Sequence, residues 1–171
     1  MSASRSALDP VEPGASRQNA LLAYQHFEAL PLRGLAQLVG TRVAETPIAI
    51  DDVNGEPLFH DYPLMDGGTV RGTIRCAANR RLGAPIVSVS HDAPGWSATA
   101  AIRMATEALH KAYPGAQFVS ARLICYAYPK IGVRIVFRAD GSASESEAIF
   151  DVSSGGMVST SPRTSSLAIP C

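Results

Sequence analysis

From about residue 47 onward, turn-forming residues cut this chain into short segments: Asn54-Gly55, Asp66-Gly67-Gly68, Pro129-Lys130 and Asp140-Gly141. Glycine and asparagine accept positive φ, and proline fixes its own φ, so each group favours a tight reversal. Strands joined by such short reversals pair antiparallel, because a parallel pair needs a long crossover. Residues 47–53 form a short apolar run, and 56–63 are its expected return strand. Residues 69–77 alternate, with Val70, Ile74 and Cys76 on one side and Arg71, Thr73 and Arg75 on the other, as in a half-buried strand. After a polar break at 79–83, the run APIVSVS at 84–90 reads as another strand. Three more are expected at 117–128, 131–139 and 145–152.

One long helix interrupts this series. Ser97 is a good N-cap after Pro94-Gly95-Trp96, and Ala98, Ile102, Ala105, Leu109 and Ala112 form a stripe spaced by three and four. Tyr113-Pro114-Gly115 ends it, since proline cannot continue a helix. Nearer the N-terminus, Leu21, Leu22, Phe27, Leu30, Leu35, Leu38 and Val39 recur at helical spacing, with Pro31 among them. The spacing predicts two short helices or a kinked one. The expected fold class is α+β: a curved antiparallel sheet of about five to six strands packed on one long helix, with short N-terminal helices. The expected organisation is a disordered tail at 1–16, a single domain at 17–159 and a flexible tail at 160–171. No repeat of fixed period is evident.

Composition narrows the function classes. Hydrophobic residues make up 46% of the 171, enough for a core. Fifteen basic and fifteen acidic residues cancel, which argues against a nucleic-acid partner. No apolar run approaches the roughly 18 residues of a membrane span, and residues 1–20 lack the apolar centre of a secretory signal. Cys76, Cys125 and Cys171 are odd in number and widely spaced, without a Cys-x-x-Cys pair. That pattern predicts no disulfide framework, no zinc and no other cofactor, and a reducing cytoplasm as the compartment.

The stretch ATAAIRMATEALHKAYPGAQ, FVSARLICYAYPKIGVRIVFRADG and AIFDVSSGGMV resembles the PepSY domain pattern. That pattern is an Ala-rich helix, a YPGA-like stop, two long strands and a strand ending in Asp-x-x-x-Gly. Upstream, NGEPLFHDYPLMDGGTVRGTIRCAANRRLGAPIVSVS is similar in texture to the propeptides and inhibitors of streptopain-type cysteine peptidases, which have a cystatin-like roll. Together the resemblances span about 110 residues. They imply a binding or protease-inhibitor module rather than an enzyme, and they carry no catalytic residue onto this chain.

Several groups of residues are candidates for chemistry. His60-Asp61 and His91-Asp92 are His-Asp dipeptides, and a histidine oriented by a carboxylate is a usable general base. Strand neighbours point to opposite faces, so a dyad would need cross-pairing of His60 with Asp92 or His91 with Asp61. The plain alternative is turn and surface residues. Cys76 and Cys125 fall on apolar strand sides, as small hydrophobes do. Strand phase places Arg71, Arg75, Arg122, Tyr126, Tyr128, Arg134 and Arg138 away from the apolar sides. Arginine and tyrosine are favoured at interfaces, and the alternative is a solvated face. Asn79-Arg80-Arg81-Leu82-Gly83 is a candidate anion cap or a polar turn.

The expected function is therefore a non-enzymatic peptide- or protein-binding or inhibitory domain that recognises its partner through a sheet face or edge. The partner would be a peptide or protein segment, with a peptidase or an acidic segment as candidates, and neither nucleic acid nor membrane. The alternative is a small α+β-roll enzyme, cyclase- or isomerase-like, using His60 or His91 as base. A minor alternative is a ribosomal peptide precursor, since residues 165–171 read Ser-Ser-Leu-Ala-Ile-Pro-Cys and resemble segments whose serine and terminal cysteine become joined.

Overall fold

A computed structural model of the chain describes residues 9–30 and 34–162. It contains two α-helices and nine strands and divides into two compact units, the first ending at Pro94 and the second beginning at Gly95. The expectation of five to six strands on one long helix is thereby corrected. Two helices of similar length are present, and the strand count is higher.

The first unit begins with α1 (Pro13–Ala29), a helix of 17 residues. Proline sits at its first helical position, where a missing N–H costs nothing, so the helix starts inside the stretch expected to be a tail. Its C-cap is Leu30, so Pro31 follows the helix and no kink arises. The buried residues of α1 are Ser16, Ala20, Tyr24 and Phe27, spaced by four, four and three. Leu22 and Leu30, expected on the apolar stripe, are 60% and 62% exposed. A 3-10 turn at Ala36–Leu38 delivers Leu38 to the core. The strands are β1 (Arg42–Val43), β2 (Ile48–Asp51), β3 (Pro57–Asp66), β4 (Thr69–Ala77) and β5 (Ile86–Ser90). They lie in the order β5-β4-β3-β2, all antiparallel, with β1 beside the far end of β3. The core under α1 is Ala20, Tyr24, Phe27, Leu38, Val43, Tyr62, Leu64, Ile74 and Cys76. Gly72 is required by close approach: a Cβ there would collide with the Ser90 carbonyl oxygen and lie 2.8 Å from Leu38.

The second unit is a helix followed by a four-strand meander: α2 (Ala98–Ala112), β6 (Gln117–Ala127), β7 (Lys130–Arg138), β8 (Glu145–Asp151) and β9 (Met157–Pro162). Ser97 caps α2 as expected, its hydroxyl accepting from the Ala100 N–H at 3.2 Å. The strands pair in chain order. Leu109 is fully buried, Leu123, Val133, Ile135, Phe137 and Phe150 are buried, and the Tyr113 and Phe137 rings meet at a tilt with centroids 5.0 Å apart. Ile102 is only half-buried; Ala101 takes the buried position beside Ala105. Strand β9 runs on to Pro162, into the stretch expected to be a flexible tail from residue 160, and residues 163–171 lie outside the described residues.

Burial on both sheet faces differs from the expected apolar-in, polar-out alternation. Ile124 shares strand phase with Arg122 and Tyr126, yet is fully buried; Val136 shares phase with Arg134 and Arg138, yet is 4% exposed. In the first unit, Ile50 and Phe59 are buried on the face away from α1.

Candidate functional site

The His-Asp dipeptides occupy quite different settings. His60 lies on β3, turned toward α1, and its Nδ1 is 2.8 Å from Ser16 Oγ. Ser16 Oγ is also 2.8 Å from the Tyr62 hydroxyl, which in turn donates to the Pro13 carbonyl at 2.6 Å. One assignment of protons gives every short contact its own donor. Tyr62 spends its proton on Pro13. Ser16 shares its own between Tyr62 and, at 3.1 Å, the Pro13 carbonyl, so Nδ1–H of His60 donates to Ser16. Burial lowers the His60 pKa, opposed in part by the carboxylates of Asp61, Glu12 and Asp51. The cluster fastens the first turn of α1 to the sheet.

Asp61 points the other way. Both of its oxygens accept from Arg75 at 2.7 Å in a two-pronged pair whose side chains are 15% and 8% exposed. The Arg75 guanidinium also lies over the Phe59 ring, 4.8 Å from its centroid. On the surface, His91 Nδ1 and Asp92 Oδ2 stand 3.7 Å apart. The structure thus brings His60 to Ser16, Asp61 to Arg75 and His91 to its own neighbour Asp92, and forms neither cross-paired dyad. The signal for the His60 cluster was a serine on the helix face, which an apolar-stripe reading passes over.

Arg71 and Arg75 belong to the first unit; Arg122, Tyr126, Tyr128, Arg134 and Arg138 belong to the second. Arg71 pairs with Asp66 at 3.2 Å in the open, and Arg138 pairs with Glu145 at 3.0 Å. Arg122 and Arg134 are cross-strand partners on β6 and β7, so two like charges share one register position. Tyr128 is exposed on the β6–β7 turn, before a cis bond to Pro129. Asn79 caps a short 3-10 turn by accepting from the Arg81 N–H, and Gly83 closes it at φ 76°, so the polar-turn reading describes this segment. Arg80 there pairs with Asp9 at 3.4 Å. Cys76 and Cys125 are buried thiols outside any disulfide, and burial pushes the Cys76 pKa up to about 12.

Tyr126 belongs to a more elaborate setting. Its ring lies over Gly132, where a Cβ would come within 2.9 Å of it. Its hydroxyl donates to Asp151 Oδ2 at 2.7 Å. The other Asp151 oxygen accepts from the Ser153 N–H at 3.0 Å, the Ser154 N–H at 2.8 Å and the Ser154 hydroxyl at 3.0 Å. The Gly155 N–H then returns to the Asp151 carbonyl at 2.8 Å, with Gly155 at φ 67°. This is the geometry behind Asp-x-x-x-Gly in this sequence: the carboxylate ties the turn and the glycine closes it. The hydrogen bond from Tyr126, with those of Ser154 and Ser153, holds the Asp151 pKa below its usual value, and the same bond raises that of Tyr126. Beside this turn lies an open cleft of about 640 Å³, lined by residues of the second unit that include Trp96, Lys130, Ile131, Asp151 and Met157.

A sheet edge is the remaining candidate. Strand β5 pairs with β4 on one side and ends the sheet order of its unit. Its sequence, Ile-Val-Ser-Val-Ser, carries no charge and no proline. Ile86 and Val89 pack against the core, while Ser88 is exposed.

No family model matches the chain. Neither a curated protein nor a solved structure matches it either. No helix among the described residues is long and apolar enough to cross a membrane, and no group of three or more His, Cys, Asp or Glu among them is placed to hold a metal.

Proposed function

We propose that the chain is a non-catalytic binding or inhibitory module that takes an extended peptide segment of its partner as an added strand alongside β5. The observation that carries this reading is an edge strand without charge or proline, its ladder with β4 regular from Ser88 to Ser90 and bulged at Val87. Edge strands usually discourage pairing with a lysine, a proline, a bulge turned outward or a covering loop, because their unused N–H and C=O groups are a template for another chain. All five residues of β5 are uncharged and none is proline. Added strands draw affinity from backbone hydrogen bonds and specificity from alternate side chains. The helix-then-meander order of the second unit is the order that the PepSY-like resemblance implies, and it supports a binding role. Asp61 is held by Arg75 and does not orient His60, which lends no support to a His-Asp base. The buried thiols of Cys76 and Cys125, outside any disulfide, support a reducing compartment such as the cytoplasm.

The test is selection of random peptides displayed on phage against the full chain, followed by hydrogen exchange of the complexes. The enriched peptides should slow exchange of amides within Ile86–Ser90. Ser88→Lys, which places a charge on the exposed position of the edge, should weaken them while leaving the circular dichroism spectrum unchanged. Peptides that leave Ile86–Ser90 unprotected would overturn the reading. Protection centred on Arg122 and Arg134 would move the site to the sheet face.

A further inference from the structure

We propose that the cleft beside Asp151 binds a small organic carboxylate with an apolar body, its acid group met by Lys130. The argument begins with charge. Of the residues lining the cleft, only Lys130 and Asp151 are charged. Asp151 is already answered by four donors, namely the Tyr126 hydroxyl, the Ser153 and Ser154 amides and the Ser154 hydroxyl. A carboxylate with its lone pairs occupied in this way is poorly placed to receive a cation. Lys130 has no ion-pair partner among the described residues, and it is exposed at the start of β7. Asp151 keeps its negative charge, but Lys130 is the charged group of the cleft left to meet a ligand.

The remaining walls set the shape of the ligand. Trp96, Pro129, Ile131, Met157 and Val158 present apolar surface, and Met157 and Val158 are 49% and 47% exposed. Small-molecule sites combine mostly apolar walls with a few polar groups that fix orientation, in clefts of roughly 300–1,000 Å³. At about 640 Å³ this one falls inside that range. The tied turn adds preorganisation: Asp151 and Gly155 hold one wall in place before any ligand arrives. An aryl or branched aliphatic acid satisfies both halves, and so does the C-terminal residue of a peptide.

Trp96 is the one tryptophan in the chain, so its emission reports on the cleft directly. The full chain is titrated with 4-phenylbutyrate and with 4-phenylbutyramide. In parallel it is titrated with a short apolar peptide bearing either a free or an amidated C-terminus. The expected result is saturable change with at least one of the two acids and about tenfold or weaker binding of its amide, the size of one charge-assisted hydrogen bond. Saturation by the free acid alone assigns a metabolite-like ligand, and saturation by the peptide acid assigns a peptide terminus. Lys130→Met should lose the preference for acid over amide, and Lys130→Arg should keep it. Equal binding of acid and amide, an unchanged preference in Lys130→Met, or no saturable change with either acid would overturn the proposal. The readout lies in the second unit, whereas the β5 test reads amides of the first, so either proposal fails or stands without the other.

Discussion

Removing one oxygen atom tests the buried cluster at the start of α1. In Ser16→Ala, the Nδ1–H of His60 loses its acceptor and Tyr62 keeps only its bond to Pro13. Shifting the imidazole proton to Nε2 does not help, because a buried lone pair is then left facing a methyl group. One stranded buried donor costs about 1–3 kcal/mol, and alanine returns a few tenths through its better helix propensity, so the net loss should be about 1–2 kcal/mol. Urea unfolding followed by far-UV circular dichroism measures it; Trp96 emission is the wrong probe, since that residue lies in the second unit. His60→Leu with Ser16→Ala should cost less than the two single changes added together, because the double variant strands neither partner. The same cluster sets a pH dependence. Folded His60 has its pKa lowered, so between that value and the unfolded value near 6.5 only the unfolded chain carries the proton. This contribution is complete above about pH 6.5 and is lost as the pH falls through the lower folded pKa. The nearby carboxylates Asp61, Glu12 and Asp51 reduce its size without reversing its sign. His60→Leu should flatten that part of the profile. A loss below about 0.5 kcal/mol in Ser16→Ala, within the scatter of ordinary surface changes, would refute the reasoning that the cluster holds α1 to the sheet.

Other perturbations address the rest of the framework. Leu109→Ala empties a fully buried site and should lower stability by roughly 2–5 kcal/mol in urea unfolding. Asp61→Ala leaves the Arg75 guanidinium without its two-pronged carboxylate and should cost about 3–5 kcal/mol by the same measurement. Gly132→Ala drives a methyl group against the Phe150 carbonyl and the Tyr126 ring, both at 2.9 Å, and should cost about 1–3 kcal/mol. In a Cys171→Ser background, Cys76 should resist a thiol reagent at pH 8 until denaturant is added, because its thiolate is scarce with a pKa of about 12.

What the sequence revealed follows from how local each signal is. The alternation of 69–77 marks β4 at both ends, and Ser97 marks the start of α2, because each feature is complete within a few residues. Asn54-Gly55 likewise lies in the β2–β3 turn, with Gly55 at φ 86°. The first helix was harder to read because its buried face carries Ser16, Ala20 and Tyr24, while leucines occupy exposed positions. Strand β9, Met-Val-Ser-Thr-Ser-Pro, has almost no apolar alternation and exists through its ladder with β8. Ile124 and Val136 are buried on the face that strand phase assigns to arginine and tyrosine, a fact of tertiary packing that no period of two can encode. The cleft was invisible for the same reason. Its lining comes from residues 96, 126–131 and 151–158, and only Asp-x-x-x-Gly hinted at it.

The uncharged edge strand β5 also has a colloidal consequence. With equal numbers of acidic and basic residues and an isoelectric point near 6.9, copies of the chain carry little mutual repulsion in neutral buffer. Nothing electrostatic then keeps one β5 from meeting another, and backbone groups that serve a partner peptide serve a second copy equally well. Solubility should therefore pass through a minimum close to pH 7 and rise on either side. Concentrated stocks should keep longest at a pH well away from neutrality or with a strand-forming peptide already in place.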